Sequence, residues 1–319
     1  MRRPWSRSQK IESFLRASWR ARVPERARRW IRNFLSEAPR RARDFLPDVR
    51  DRLIAQRSLP PARLRRRVGR TSSRRQFLEV GKTVAEDLFL AIEGLGARRQ
   101  DYGTWLDLGC GAGRVTRHLD REPSVVRLIG ADLDREAIEW CCRHLRGRFV
   151  PVAEIPPTSL EEGSIDLVYC ISVFTHRDEQ RQRLWLAEIR RLLRPRGMLL
   201  ASMHSPELTF ERPDLSREQH DALGRTGFLF APASAAFNEA SAFHSEDYLR
   251  RVWGELFEMR GFRARGLGGY QDLSVWVRSD STSAAPGNAC PISVRRSRSQ
   301  PRPARRSRDS CTPGGSPPG

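Results

Sequence analysis

Apolar and polar positions alternate along this chain in two periods, one helical and one of strand type. Over 74–95 the apolar residues are Phe77, Val80, Val84, Leu88 and Ile92, a single helical stripe closed by Gly94 and Gly96. Short apolar runs of strand length follow at 104–108, 125–131, 149–153, 165–171 and 198–202. Between them the helical period returns. Leu186, Ile189 and Leu193 give the inward face of a helix over 178–193. Residues 204–243 show neither period and read as irregular. Ser245 then caps a helix with Tyr248, Val252, Leu256 and Met259 on its inner face, and two last strands fall at 262–267 and 272–277.

One stretch joins the first strand to a helix through glycine. It runs Thr104-Trp105-Leu106-Asp107-Leu108-Gly109-Cys110-Gly111-Ala112-Gly113-Arg114-Val115. Glycines at alternate positions let the backbone turn sharply and approach a ligand. From Gly113 the pattern becomes helical, with Val115 and Leu119 four apart. A helix start presents free N–H groups and a positive dipole end. The dinucleotide fingerprint G-x-G-x-x-G fails here, because its sixth position is Arg114 from Gly109 and Thr116 from Gly111. Gly81-Lys82-Thr83 imitates the end of a phosphate-binding loop. Its leading glycine is missing, since Gln76 stands there, and no strand precedes it. A phosphate would also be repelled by Asp107.

Asp107 followed by Gly109, Gly111 and Gly113 resembles the first motif of the class I S-adenosylmethionine-dependent methyltransferases, in their bacterial methyltransferase-11/25-like form. Three later stretches resemble the same family. They are the 125–134 strand ending in Asp132-Leu133-Asp134, the strand Ile165 to Ile171 with the turn Ser172-Val173-Phe174-Thr175-His176, and the helix closed by Arg194-Pro195-Arg196-Gly197. The resemblance covers roughly 74–278. It implies an α/β fold, a Rossmann-like seven-stranded, mostly parallel sheet with an antiparallel last strand and helices on both faces. It implies S-adenosyl-L-methionine as cofactor. Asp107, Gly109, Cys110, Gly111 and Gly113 would face its amino-acid and ribose portions, where a carboxylate suits the positive ammonium and sulfonium. Asp132, with Leu133 beside it, would take the ribose hydroxyls, since one carboxylate can accept both; the other reading of Asp132 is a helix cap. Asp134 is assigned the cap of the helix from Arg135. Ala153 and Glu154 stand where the family contacts adenine, although Glu154 can equally be a solvated side chain. Ile171 and Ser172 would face the methyl group. Asp166, at the far end of its strand, is assigned a structural role.

Methyl transfer needs donor and acceptor in line, and an oxygen acceptor often needs a general base. His176 and His204 both follow strands at the cofactor edge. Each is either the base or a hydrogen-bonded structural histidine. The Asn/Asp-Pro-Pro-aromatic motif of amino-methylating nucleic-acid enzymes is replaced by Ser172-Val173-Phe174-Thr175, and no paired-glutamate loop of the arginine methyltransferases is evident. A small-molecule or glycan acceptor, such as a sugar hydroxyl, is the favoured expectation. The alternatives are an RNA or protein methyltransferase, and a silent Rossmann-like scaffold, against which the intact Asp107/glycine/Asp132 set argues.

Charge changes the picture at the ends. The formal net charge is +20 over 319 residues. Residues 1–67 hold 21 basic and 6 acidic residues, 279–319 hold 7 and 2, and 68–278 hold 30 of each. The expected organisation is therefore a basic, partly helical arm over 1–67, a methyltransferase domain over 68–278, and a disordered basic tail over 279–319. The arm combines arginines with Trp5, Trp19 and Trp30, so it can make weak contact with an anionic membrane or nucleic acid, or be a plain accessory arm. Lysine occurs only at Lys10 and Lys82, a bias that genome base composition can also produce. The six cysteines lack zinc spacing, so no metal is expected and free thiols in a reducing, cytoplasmic setting are. No apolar run reaches the length of a membrane span, and no signal peptide is visible.

Overall fold

The computed structural model describes residues 59–69, 72–233 and 240–279. The basic arm up to residue 58, its contacts with membrane or nucleic acid, and the tail from residue 280 lie outside the described residues. Seven strands form the main sheet: β1 Thr104–Leu108, β2 Arg127–Asp132, β3 Arg148–Pro151, β4 Ile165–Cys170, β5 Leu193–Met203, β8 Phe257–Leu267 and β9 Gln271–Arg278. Their order is β3-β2-β1-β4-β5-β9-β8. β1 to β5 pair in parallel, while β9 runs antiparallel to both β5 and β8. This is the Rossmann-like, mostly parallel sheet with an antiparallel last strand.

The sheet is buried on both faces because successive side chains point to opposite sides. On one face Leu106, Val168, Leu199 and Trp276 meet Trp185 and Ile189 of helix α5 (Glu179–Leu192), with Tyr248 and Leu249 of α7 (Glu246–Val252). On the other, Trp105, Leu167, Leu200 and Val275 meet Val84, Leu88 and Ile92 of α2 (Arg74–Glu93), the stripe read from the sequence. Ser73 caps α2, accepting from the Gln76 N–H. Asp166 proves structural. It accepts from the Thr104 N–H at 2.7 Å and pairs with Arg194, tying the start of β4 to β1 and β5.

Several local expectations are corrected. Turns continue through 111–115 and the helix α3 covers only Thr116–Leu119. The three loop glycines hold φ at +86°, +51° and +71°, which a helix cannot accept. The stretch 204–243 is not irregular throughout. It holds α6 (Arg217–Thr226) and a two-stranded antiparallel sheet of β6 (Phe228–Ala231) and β7 (Ser241–His244). Helix α7 starts at its Ser245 cap as expected but stops at Val252. Met259 belongs instead to β8, opposite Trp276, because β9 offers it a pairing partner. The boundary drawn at 67/68 falls inside helix α1 (Ala62–Gly69). Leu64 of that helix is buried against Ala112, Ile138 and Phe149, so the packed unit includes residues ahead of 68. Among the cysteines, Cys110, Cys141 and Cys170 are free buried thiols, whereas Cys142 is disulfide-bonded, against the expectation of free thiols. Among the described residues, no helix is long and apolar enough to cross a membrane.

The segment inserted between β5 and α7 is tied to the main sheet through His244. Its Nε2 donates to the Gln182 amide oxygen at 3.0 Å, and the Gln182 amide nitrogen donates to the Phe174 and Arg177 carbonyls. The His244 backbone N–H also bonds the His204 carbonyl at 2.9 Å. Burial among Phe228 and Tyr248 pushes the imidazole down to about 3, with His204 adding to the effect. A buried neutral histidine must take up a proton on unfolding below its ordinary value near 6.5, so stability is full above that pH and lost as pH falls toward 3. Melting measured between pH 7 and 5 should show stability falling by up to about 1.4 kcal/mol per pH unit from this one group. His244→Gln should flatten that slope by one proton; an unchanged slope contradicts the assignment.

Candidate active site

A cavity of about 990 Å³ opens at the carboxyl ends of β1, β2, β4 and β5. Open α/β sheets bind ligands at this edge, where the crossing order changes. Its floor is the glycine loop, and the loop is shaped by β2. The Gly109 and Cys110 N–H groups both donate to the Ala131 carbonyl, at 2.7 and 3.1 Å. The Gly111 N–H donates to Asp132 Oδ2 at 2.7 Å and the Asp134 N–H to Oδ1 at 2.8 Å. Asp132 is thus fixed by both oxygens and keeps lone pairs for a ligand. Burial raises its pKa, opposed by these two backbone donors. Asp134 caps α4 (Arg135–His144), accepting from the Ala137 N–H, and pairs with Arg67 at 2.7 Å.

Asp107 lies beneath the loop, 3% exposed. Thr116 Oγ1 donates to its Oδ2 at 2.5 Å, and Tyr169 stands beside it on β4. Burial pushes its carboxyl up to about 7, with Asp132 adding to the rise and Thr116, Tyr169 and Arg114 opposing it. Glycine is required at two loop positions because flanking apolar side chains take the space. A Cβ on Gly109 would stand 2.4 Å from Val173, and one on Gly111 2.7 Å from Val68 of α1.

The structure brings most of the expected residues to this cavity. Asp107, Gly109, Cys110 and Gly111 line it at the loop, and Asp132 and Leu133 at the end of β2. Ile171, Ser172, His176 and His204 line the other half. Three expected residues stand elsewhere. Gly113 faces α4, where a Cβ would meet Leu145 at 2.3 Å, so its glycine serves packing beneath the loop. Ala153 and Glu154 are not on the wall, which Val152 and Trp185 form instead. The Glu154 carboxylate turns outward to Arg181 at 3.2 Å, and its carbonyl accepts from the Trp185 indole at 3.0 Å.

The second half of the cavity is built where β4 and β5 end and the antiparallel β9 begins. Ser172 holds φ at +58°, a conformation that strains a residue with a Cβ. Its N–H bonds Ser202 Oγ at 2.8 Å and its hydroxyl donates to Gln271 Oε1 at 3.1 Å. Gln271 Nε2 then donates to His204 Nε2 at 3.1 Å, which assigns the neutral His204 proton to Nδ1. His176 is held the other way. Its Nδ1 bonds the Ala240 carbonyl at 2.7 Å, which leaves Nε2 as the basic nitrogen. The two imidazoles stand 6.1 Å apart, centre to centre. Tyr270 donates to Glu211 at 2.5 Å, and its ring and that of Phe243 flank His204. Gln271, Tyr270, Glu211 and Arg114 were not singled out from the sequence. Gly268-Gly269-Tyr270-Gln271-Asp272 links the last two strands, and nothing in its sequence shows that β9 begins beside the end of β5. Among the described residues, no group of His, Cys, Asp and Glu gathers to hold a metal ion.

Residues 106–201 match the family model described as a methyltransferase domain. A malonyl-[acyl-carrier protein] O-methyltransferase of Hahella chejuensis is 32% identical over 108 residues, 33% of this chain. The match spans 38% of that relative's length. Among solved structures, a protein of Pyrococcus horikoshii aligns with a TM-score of 0.46 at 17% identity, over 60% of this chain and 86% of that one. The 1,6-didemethyltoxoflavin-N1-methyltransferase of Burkholderia thailandensis aligns with a TM-score of 0.44 at 19% identity, over 61% of this chain and 77% of its own.

The buried Asp107 carboxyl has a measurable cost to folding. Between its ordinary value near 3.8 and about 7 the unfolded chain loses a proton that the folded one keeps, so stability falls as pH rises through that window. Asp107→Asn should therefore melt a few degrees above the wild type at pH 8, with the gap closing toward pH 4. A variant equal to or below the wild type at pH 8 contradicts this. On the match over 106–201 and the sheet around it, the chain carries a methyltransferase domain.

Proposed function

We propose that this protein transfers the methyl group of S-adenosylmethionine to an oxygen of a small-molecule or glycan acceptor, a sugar hydroxyl in the favoured case. The observation that carries the reading is one continuous cavity. It runs from the Asp107–Asp132 loop, past Ser172, to the two histidines and the ring-lined pocket under the insertion. The cofactor fits the residues present: a glycine cradle at positive φ, a fixed carboxylate at Asp132, and a buried acid at Asp107. When bound, it supplies an electrophilic methyl group. Everything else falls to the chain: orienting the acceptor in line and taking its proton.

His176 suits the proton role. The Ala240 carbonyl holds its Nδ1 proton, so Nε2 carries the lone pair that a hydroxyl proton needs. His204 suits orientation, because Gln271 already engages its Nε2. A sugar offers C–H faces and in-plane hydroxyls. The rings of Phe243, His204 and Tyr270 match the faces, and Ser241, Glu211 and Gln271 along the same wall match the hydroxyls. The O-methyltransferase name of the Hahella relative also favours an oxygen acceptor.

The test is methyl-labelled S-adenosylmethionine offered with panels of free sugars, nucleotide sugars, RNA and protein. Label in a sugar-containing product is expected; label in RNA or protein alone contradicts the acceptor assignment. With the active acceptor in hand, His176→Ala should lower kcat about a hundredfold with donor binding kept. Asp132→Ala should instead weaken donor binding by at least about tenfold, or 1.4 kcal/mol. A His176→Ala enzyme of full activity rules out that base.

A further inference from the structure

The wall around His204 carries a row of rings that runs from the core out into solvent. Phe243 is 2% exposed, and its ring lies 5.8 Å from that of His204, centre to centre. The Tyr270 ring stands 6.3 Å from His204 and is 42% exposed. Phe210 lies in the chain between two cavity-lining residues, Leu208 and Glu211, yet its ring is 71% exposed. It belongs to none of the apolar clusters of the described residues. A large apolar side chain left in water at the edge of a pocket marks a contact surface. The backbone under these rings is anchored on both sides. Phe210 and Glu211 end the short 3-10 helix Pro206–Glu211, whose Leu208 packs with Leu223, Leu229 and Phe243. Tyr270 sits on the turn between β8 and β9, where Asp87 of α2 accepts from the Gly268 N–H at 2.7 Å. The Tyr270 hydroxyl donates to Glu211, which joins the turn to the 3-10 helix at the acceptor end of the cavity.

Such a row fits a ligand with several flat, partly apolar faces in succession. A single sugar is covered by Phe243, His204 and Tyr270, which leaves Phe210 nothing to meet. A chain of sugars offers a second C–H face to it, with hydroxyls at the edges for Glu211. The charges here bear on what links the rings. Glu207 and Glu211 are both exposed carboxylates of the 3-10 helix. The Ser205 hydroxyl and the Glu207 N–H hold the Glu207 carboxyl below its ordinary value, with Arg265 adding to the effect. Arg212 turns inward instead, to Asp214 at 2.7 Å. Two carboxylates thus stand against one guanidinium. That excess repels the phosphates of a nucleotide sugar or a nucleic acid and suits an uncharged glycan.

We propose that Phe210 and Tyr270 form an outer subsite for the second sugar of a glycan, so that the acceptor is the end of a chain and not a free sugar. This rests on the acceptor reading given above. The test uses the full chain and methyl-labelled S-adenosylmethionine. Glucose, galactose and mannose are each compared with their di- and trisaccharides and their nucleotide-linked forms. The wild type should label an oligosaccharide with a kcat/KM at least about tenfold above that of its monosaccharide. Phe210→Ala should bring that ratio to within about twofold of one, chiefly through KM. A monosaccharide or nucleotide sugar used as well as the oligosaccharide overturns the outer subsite and leaves the sugar reading intact. A preference that Phe210→Ala leaves in place overturns it too, since the chain then lies elsewhere. The exposed Phe210 ring packs in no core, so the variant should melt with the wild type; if it does not fold, the wild-type ratio still decides. No label on any saccharide overturns this proposal together with the acceptor reading.

Discussion

The bond from the Gly111 N–H to the Asp132 carboxylate is the constraint on which the site depends. It joins the middle of a loop with no regular structure to the end of a strand buried in the sheet. With the paired Gly109 and Cys110 donors on Ala131, it makes the loop follow β2 rather than wander. The same carboxylate holds the Asp134 N–H, and Asp134 in turn caps α4 and meets Arg67 of α1. One acidic residue therefore sets the loop, the entry of a helix and the seat of the helix that packs over Gly111. Asp132 also lines the cavity, so the residue that anchors the loop is part of the cavity wall. On the proposed methyl-transfer reading, the rigidity this gives serves the alignment of donor and acceptor.

The other half of the site follows a different rule. No single motif makes it. Ser172 ends β4, His204 follows β5, and Gln271 begins β9, three segments far apart in sequence that the sheet order brings side by side. The insertion between β5 and α7 then supplies Phe243, and the Ala240 carbonyl that orients His176. His244 and Gln182 fix that insertion to the turn after β4, which carries His176. Stability and function pull against each other here. Asp107 and Arg114 are both buried beyond what folding alone would favour, and a strained serine stands at the end of β4.

What the sequence made legible was whatever is encoded locally. The acid and alternate glycines of the loop, the acid closing β2, and the caps at Asp134 and Ser245 each depend on residues a few positions apart. The two-sided core was legible too, because strand and helix periods differ. The shape of the glycine loop and of the β2 end was thus legible before the fold was known. Glu154 and Gly113 face away from the cavity for a physical reason no local pattern carries: each meets a distant partner, Arg181 for one and Leu145 for the other. The helix α6 did carry a local sign, the Ser216–Gln219 capping box with Gly227 in the left-handed region after it, but its lone buried apolar residue, Leu223, leaves no periodic stripe. Gln271 and Tyr270 had no local sign at all. Their positions follow from β9 being inserted between β5 and β8, which only tertiary pairing decides.

A crystal structure of the full chain grown with S-adenosylhomocysteine would test this account most directly. The account predicts the ribose hydroxyls on the Asp132 carboxylate, the nucleoside along the glycine loop, and the sulfur directed toward the Ser172 end of the cavity. An ordered nucleoside bound elsewhere, or a cavity that stays free of it at saturating ligand, would contradict the account.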